Sequence, residues 1–176
     1  ALMMQFPLVI CAVCIVGSII GTFFVRLGQS GSIMGALYKG LISSAVISAL
    51  LIGIATSQMV GFDTVYSMGD GQVTGMDLFV CAVVGLAVTG LLVWITEYYT
   101  GTEHRPVKSV AHSSETGHAT NIIQGLAISM EATALPVLVI CGGIIIAFLS
   151  AGLFGLAIAA TTMLALAGMV VALDAY

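Results

Sequence analysis

Long apolar stretches constrain the fold of this chain more than any other feature of its sequence. A helix needs about 20 apolar residues to cross roughly 30 Å of hydrocarbon. A membrane barrel would instead need short strands of alternating polarity, and the sequence has no such alternation. We therefore expect an all-α fold, a polytopic bundle of transmembrane helices. Five stretches have the required length, at about residues 2–25, 37–57, 76–97, 120–149 and 152–173.

The composition places the chain in a lipid bilayer. Hydrophobic residues make up 60% of the sequence and charged residues 7%, against about 45–50% and 25% in ordinary soluble domains. With a mean hydropathy of +1.18, these residues cannot cover a water-exposed surface. Lys and Arg number only four, too few to form a phosphate-binding stripe. We expect an integral, multi-pass membrane protein without a nucleic-acid partner.

The basic residues predict the orientation of the bundle. Because Lys and Arg concentrate in cytoplasmic loops, we expect loops 26–36 and 98–119 in the cytoplasm. The loop at 58–75 carries Asp63 and Asp70 but no base, which predicts an external position. The four basic residues that lie in or border the two cytoplasmic loops are Arg26, Lys39, Arg105 and Lys108.

Small residues predict close contacts between the helices. The last two spans are separated by little more than Ser150-Ala151-Gly152, so we expect them to form a tight antiparallel pair. Gly17 and Gly21 have the spacing that lets two membrane helices approach closely. This pattern indicates a bundle and carries no information about chemistry.

One polar segment, residues 96–131, interrupts the apolar sequence and ends at the acid Glu131. A carboxylate inside a span costs a few kcal/mol unless it is paired, protonated or hydrated. Glu131 is therefore either part of a proton or ion relay or of a buried pair, or it lies at the membrane interface with Asn121 and Gln124. The nearby Pro136 predicts a kink in the same span.

The other reactive side chains of the sequence do not form a recognisable site. Glu97 ends the third span beside Tyr98 and Tyr99, which fit an aromatic belt at the membrane interface. The three histidines are too widely spaced for a compact metal set. The sequence has no Ser-His-Asp arrangement, phosphate-binding loop or dinucleotide fingerprint. Residue chemistry alone leaves two classes open, an ion transporter and a structural membrane subunit without hydrolytic activity.

Four polar runs resemble the membrane-bound, proton-translocating inorganic pyrophosphatases. The first is Thr-Glu-Tyr-Tyr-Thr at residues 96–100, and the second is Thr-Gly at 116–117, continued by Ala-Thr-Asn-Ile-Ile-Gln-Gly-Leu-Ala at 119–127. The third is Glu-Ala-Thr-Ala-Leu-Pro at 131–136, and the last is Leu-Asp-Ala-Tyr at 173–176. Their order and spacing agree with that family over essentially the whole chain.

The resemblance implies a pump that couples hydrolysis of inorganic pyrophosphate to proton or sodium translocation. The family has about sixteen spans, works as a homodimer, and uses Mg²⁺ held with pyrophosphate by aspartate clusters on the cytoplasmic side. Those clusters are absent from this sequence. We therefore expect a fragment of a larger pump, mainly an outer-ring scaffold, that is an enzyme only as part of its parent. The alternative function is that of a structural subunit or another secondary transporter of the membrane, without hydrolytic activity.

The resemblance also suggests roles for three acids. Asp174 matches the acid of the family's Asp-Ala-Tyr-Gly-Pro motif and is expected to support the nearby substrate site. Glu131 and Glu97 are expected to be structural acids of the membrane region, and no residue of the chain is expected to be catalytic or to bind a metal. The residues that determine potassium dependence and the choice of ion lie elsewhere in the family. The expected location is a bacterial inner membrane or the membrane of an acidic, vacuole-like compartment.

Overall fold

The computed structural model of the chain describes residues 2–26, 33–68 and 71–175, without the side chains of residues 2, 68, 71, 173 and 174. Most of these residues are helical, which confirms the predicted helical membrane fold. A short antiparallel hairpin lies within the predicted external loop, and a 3-10 turn at Ser114–Thr116 follows the fourth helix. The elements are α1 (Leu2–Thr22), α2 (Ile33–Met59), β1 (Val65–Met68), β2 (Gly71–Thr74), α3 (Gly75–Thr100), α4 (Arg105–Ser113), α5 (His118–Ala132), α6 (Ala134–Ala165) and α7 (Ala167–Ala175).

Four helical runs in the described part of the chain are long and apolar enough to cross a membrane, judged by length and composition. The last of them has 55 residues, far more than the roughly 20 that one crossing requires. This run is therefore not one straight span. The four runs are Met3–Thr22, Ile33–Met59, Gly75–Thr116 and His118–Ala172.

The chain reverses direction inside α6. Ala151 and Gly152 have non-helical backbone angles, and Gly152 has a φ of 59°, a left-handed conformation that a glycine adopts without a steric penalty. A Cβ atom built on Gly155 would lie 2.7 Å from the carbonyl oxygen of Ala147. In a continuous helix two residues eight apart are separated by about 12 Å along the axis. The segments on either side of Gly152 therefore form an antiparallel helical pair.

The described chain forms two compact units, of which the first comprises Ala1–Gly90 and Gly143–Tyr176. Its core is built from apolar side chains of α1, α2, the first part of α3 and the α6 pair. The fully buried large side chains of this core include Phe6, Ile10, Ile52, Leu78, Ile158 and Leu166. The second unit, Leu91–Gly142, contains the polar segment of the sequence.

Helices α1 and α2 pack through glycines on one and serines on the other. A Cβ atom on Gly17 would lie 2.6 Å from the Ser48 hydroxyl oxygen, and one on Gly21 would overlap the Ser44 hydroxyl. Both serines are fully buried. The absence of glycine side chains lets the two helix backbones approach closely, as the Gly17–Gly21 spacing predicts.

Helix α3 packs against the α6 pair within the first unit. The Cys81 thiol donates to the carbonyl oxygen of Ala147 at 3.6 Å, and a Cβ on Gly155 would lie 2.8 Å from the Cys81 sulfur. One turn later, a Cβ on Gly85 would overlap the Thr162 side chain. Small residues therefore allow the close contact here as well.

A capping box begins α3 after the hairpin. The backbone amide of Thr74 donates to the Asp77 carboxylate at 2.9 Å, and the Thr74 hydroxyl donates to it at 2.7 Å. The amide of Asp77 in turn donates to the Thr74 hydroxyl oxygen at 3.3 Å. These bonds satisfy backbone donors that the first turn of a helix leaves free, and the acid there is favourable for the helix dipole.

Candidate functional site

The second unit gathers the polar segment into a short helical assembly. Near its start, the Thr96 hydroxyl donates to the carbonyl oxygen of Leu92, and the Thr100 hydroxyl donates to that of Thr96, each at 2.8 Å. These polar side chains thus satisfy their donors on their own helix. Gly101 follows the last residue of α3, Thr100, and a Cβ on this glycine would lie 2.9 Å from both the Glu97 carbonyl oxygen and His104 Nδ1. The chain can leave the helix at this point only with a very small residue.

An aromatic cluster surrounds the exit of the chain from α3. The ring of Tyr98 lies 5.2 Å from that of Tyr99 and 5.2 Å from that of His104, in edge-on geometry. Trp94, one turn earlier, is 61% exposed. Aromatic rings are enriched where a membrane helix reaches the headgroups, so this end of α3 has the composition of an interfacial boundary.

Helix α4 is held against α5 by both apolar and polar contacts. Pro106 lies in the first turn of α4, where its missing N–H costs no helical hydrogen bond. The side-chain amide of Gln124 donates to the Ser109 hydroxyl oxygen at 3.1 Å. The Thr120 hydroxyl donates to the carbonyl oxygen of Ser113 at 3.0 Å. These contacts fix the side chains that face the space between α4, α5 and the end of α3.

A cleft of about 330 Å³ opens in this space. Its volume is at the lower end of the roughly 300–1,000 Å³ of ligand pockets. Its lining is mainly apolar, with a few polar side chains. The lining residues are Tyr99, Pro106, Val107, Val110, Ala111, Ser114, Asn121 and Ile128.

Two polar groups at the cleft lack the partners that such groups normally have. The Oδ1 atom of Asn121 is shielded from water and accepts no hydrogen bond from the described residues. Arg105, next to Pro106 and exposed, forms no ion pair among the residues that the structure describes, whereas Lys108 pairs with Glu103 at 3.7 Å. A buried oxygen without a donor is costly, so Asn121 holds an acceptor that no described residue uses, in a wall of the cleft that begins next to Arg105 at Pro106.

Glu131 and Tyr99 are brought together in this unit. Burial raises the pKa of Tyr99, the nearby Glu131 carboxylate raises this pKa further, and the charge of Arg105 opposes the shift. Glu131 itself is exposed in the chain and lies in the last turn of α5. A negative charge there is unfavourable with the helix dipole, so the carboxylate depends on a nearby donor, and the Tyr99 phenol is the candidate for that donor.

The helix that carries Glu131 ends just after it. Thr133 separates α5 from α6, and the amide of Val137 donates to the carbonyl oxygen of Thr133 at 3.2 Å. Pro136 has no N–H to offer the carbonyl four residues earlier, at Ala132. The predicted span 120–149 thus consists of two helices with a break three residues before the proline.

The other predicted site acids are not brought together. Glu97 is half-buried near the end of α3, and its carbonyl oxygen accepts the Gly101 amide at 2.7 Å. The side chain of Asp174 lies outside the described residues, although the backbone at this position belongs to α7. Loop residues 27–32 and Asp70, which entered the predicted topology, also lie outside them.

The described residues do not form a site for a divalent metal ion. No three His, Cys, Asp or Glu side chains converge anywhere in the described part of the chain. Glu103 is engaged with Lys108, and Glu115 lies 3.2 Å from His112 at a highly exposed position. Mg²⁺ needs several oxygen ligands in octahedral geometry. The described residues by themselves therefore do not supply a cluster of protein ligands for Mg²⁺.

Sequence reasoning missed the cleft and the contact between Tyr99 and Glu131. The local signal for the cleft was present, because Pro106, Val107, Val110 and Ala111 occupy one face of a helix whose other face is polar. The contact between Tyr99 and Glu131 had no local signal, since 32 positions separate them and no periodic pattern spans that distance.

Comparison with known proteins gives a match over the full chain. The sequence model of a family described as inorganic H+ pyrophosphatase matches residues 1–176. A pyrophosphate-energized proton pump 2 of Mycoplana dimorpha is 60% identical over 173 residues, which cover 98% of this chain and 83% of that protein. A pyrophosphate-energized proton pump of Anaplasma marginale is 57% identical over 141 residues, 80% of this chain and 100% of that protein.

One relative is much longer than this chain. The K(+)-insensitive pyrophosphate-energized proton pump of Methanosarcina mazei is 42% identical over 179 residues. The match covers 97% of this chain but 25% of that relative. The chain thus corresponds to about a quarter of the longer protein.

Proposed function

We propose that this chain, which belongs to the inorganic H+ pyrophosphatase family, is a membrane-spanning part of a pump. The pump couples pyrophosphate hydrolysis to proton translocation. The observation that carries the proposal is the family match over all 176 residues, in a chain whose helices have the length and polarity of membrane spans. The long apolar helices fit an integral membrane protein. The names of the relatives give the reaction, proton pumping energized by pyrophosphate.

We assign the chain a scaffold role within that pump. No three His, Cys, Asp or Glu side chains converge among the described residues, and binding of pyrophosphate through metal ions depends on carboxylates that hold those ions. The Mg²⁺ and substrate ligands are therefore proposed to come from other parts of the pump. On this view the 176 residues alone neither hydrolyse pyrophosphate nor move protons.

A homodimer is proposed as the working form. The described helices expose large apolar side chains that a membrane or other helices can cover, among them Leu138 at 68% and Leu149 at 79%. Association of membrane helices depends on packing and not on expulsion of water, so this exposure is compatible with a dimer contact and with lipid contact. Crosslinking in vesicles distinguishes these two.

A chimera tests the pump assignment directly. Residues 1–176 replace the matched region of the Methanosarcina mazei relative, and the product is placed in inside-out membrane vesicles. If residues 1–176 correspond in structure and function to the region that they replace, the chimera retains pyrophosphate hydrolysis and pyrophosphate-driven acidification of the vesicles. The isolated 176-residue chain, inserted in the same vesicles, is expected to have neither activity.

The control replaces the same region with residues 1–176 in which the order of the apolar residues is shuffled within each helix. This keeps length and hydropathy while removing the specific contacts. A chimera that inserts and assembles like the parent but has lost both activities would contradict the assignment. So would equal activity of the shuffled control, because any apolar segment would then suffice.

A further inference from the structure

The cleft of the second unit has properties that the pump activity does not require. It lies between α4, α5 and the end of α3 and is lined mainly by apolar side chains. One lining residue, Asn121, has a buried side-chain oxygen that accepts no hydrogen bond from the described residues. Arg105, which precedes the lining residue Pro106, is exposed and has no ion pair among the described residues. Apolar walls with one acceptor and one cation fit an amphiphile better than a wholly polar solute.

The position of the cleft in the chain suggests where that amphiphile comes from. Tyr99, which lines the cleft, lies five residues after Trp94 on α3, about 7.5 Å along the helix axis. Trp94 and Tyr98 are both exposed, as aromatic residues at a membrane–water interface are. Basic pockets between membrane helices on the cytoplasmic side bind anionic lipid headgroups. The cleft lies at the end of an apolar helix, in the loop region for which the sequence predicts a cytoplasmic position, and the basic residue Arg105 adjoins its lining.

We propose that this cleft binds an anionic glycerophospholipid of the surrounding bilayer, a phosphatidylglycerol, with its phosphate at Arg105 and a headgroup hydroxyl at Asn121. The terminal torsion of an asparagine is broad, so the amide can turn its oxygen toward a donor in the cleft. The glycerol headgroup carries hydroxyl donors, whereas a choline headgroup has none. The apolar walls formed by Val107, Val110 and Ile128 then contact the upper part of an acyl chain.

The electrostatics of the unit favour one cation over the other. Lys108 is already paired with Glu103 at 3.7 Å, and both side chains are highly exposed. Arg105 lies close enough to Tyr99 for its charge to act on the phenol that lines the cleft. A guanidinium also presents a fork of donors that matches phosphate geometry. Arg105 is therefore the headgroup ligand, and Lys108 serves as a matched control on the same helix.

Fluorescence of the chain's single tryptophan provides the test. Trp94 is the only Trp among the 176 residues, and bromine on a nearby acyl chain quenches its emission. The chain is reconstituted in phosphatidylcholine vesicles that contain brominated phosphatidylglycerol or, at an equal fraction, brominated phosphatidylcholine. We expect stronger quenching by phosphatidylglycerol that saturates at a low fraction of the lipid.

Three variants locate the effect. Arg105→Gln is expected to weaken the preference for phosphatidylglycerol about tenfold or more, the change that accompanies loss of one hydrogen bond to a charged group. Asn121→Leu removes a neutral hydrogen bond and is expected to weaken the preference about fivefold. Ala111→Phe fills the cleft without removing either polar group and should have the same effect. Lys108→Gln should leave the preference unchanged. Circular dichroism of each variant verifies that the helices remain.

Several results would overturn the proposal. Equal quenching by both lipids in the unmodified chain would mean that the cleft does not select a headgroup. A preference that survives in Arg105→Gln and in Ala111→Phe would place the lipid elsewhere. If soluble glycerol phosphate abolishes the preference, the site recognises a free phosphate compound and not a bilayer lipid. None of these results depends on pyrophosphate hydrolysis, so the pump assignment is tested separately.

Discussion

Gly21 of α1 lies so close to Ser44 of α2 that a Cβ atom on the glycine would overlap the serine hydroxyl. One turn earlier Gly17 meets Ser48 in the same way. The two helices therefore contact each other along a line of small residues, with the serine hydroxyls buried between them. In a bilayer, where apolar surface gains little from leaving lipid, such close backbone contact supplies much of the association.

Gly21→Ala is expected to destabilise the α1–α2 pair. The added methyl group must displace Ser44, and overpacking of this kind costs about 1–3 kcal/mol. Gly90→Ala is the matched control, because a Cβ there meets nothing within 4 Å and alanine favours the helix. Unfolding of the reconstituted chain in increasing dodecyl sulfate, followed by circular dichroism, measures both. Equal unfolding midpoints for Gly21→Ala and Gly90→Ala would contradict the close contact.

Tyr99 and Glu131 are expected to be energetically coupled. Tyr99→Phe removes the donor and Glu131→Gln removes the charge, so either change should lower the melting temperature of the chain. The double variant should be less destabilised than the sum of the two, as groups in contact are. A double-mutant cycle from thermal unfolding curves measures the coupling. Strict additivity would mean that the two side chains do not interact.

The same Glu131→Gln change distinguishes a structural acid from a transport acid. In the Methanosarcina mazei chimera we expect lower thermal stability or dimer yield, with an unchanged number of protons moved per pyrophosphate hydrolysed. Vesicle acidification normalised to hydrolysis gives this ratio. Hydrolysis at the full rate without acidification would instead place Glu131 on the ion path.

The predicted orientation can be tested by labelling. Ser67 and Glu115 are both exposed and lie in the predicted external and cytoplasmic loops. The starting variant lacks the four native cysteines, and its Cys81→Ser substitution keeps a hydrogen-bond donor toward the carbonyl oxygen of Ala147. A single cysteine is then placed at position 67 or at position 115. In inside-out vesicles a membrane-impermeant maleimide should label position 115 and not position 67. The opposite pattern would reverse the topology derived from the positive-inside rule.

Asp174→Asn is expected to reduce pyrophosphate hydrolysis by the chimera about tenfold or more. Loss of a group that orients metal ligands lowers activity by about 10–100-fold, and tenfold is the lower limit of that range. The expectation rests on the match of residues 173–176 to a family motif. Glu115→Gln provides the control, because this acid is 73% exposed and pairs only with His112 among the described residues. Hydrolysis unchanged at saturating Mg²⁺ would identify Asp174 as a solvated carboxylate at a helix end.

The sequence by itself determined the helical membrane class, because the length and polarity of an apolar run decide whether it can cross a bilayer. It also predicted the reversal near Gly152, since a glycine in a three-residue break between apolar runs leaves no room for a long loop. The four polar runs identified the family. Each of these conclusions depends on residues that are neighbours in the chain.

Only the tertiary structure decided which residues meet across helices. Neither α2 nor α3 has an apolar face opposite a polar one, so amphipathicity does not indicate that Gly21 faces Ser44 or that Cys81 faces Ala147. The contact between Tyr99 and Glu131 and the cleft at Asn121 likewise depend on how α3, α4 and α5 pack. In a soluble protein the polar face of a helix is the face exposed to water. In a membrane, lipid contacts apolar side chains as readily as a protein core does. The sequence pattern therefore does not distinguish the lipid-facing surface of a helix from its buried surface.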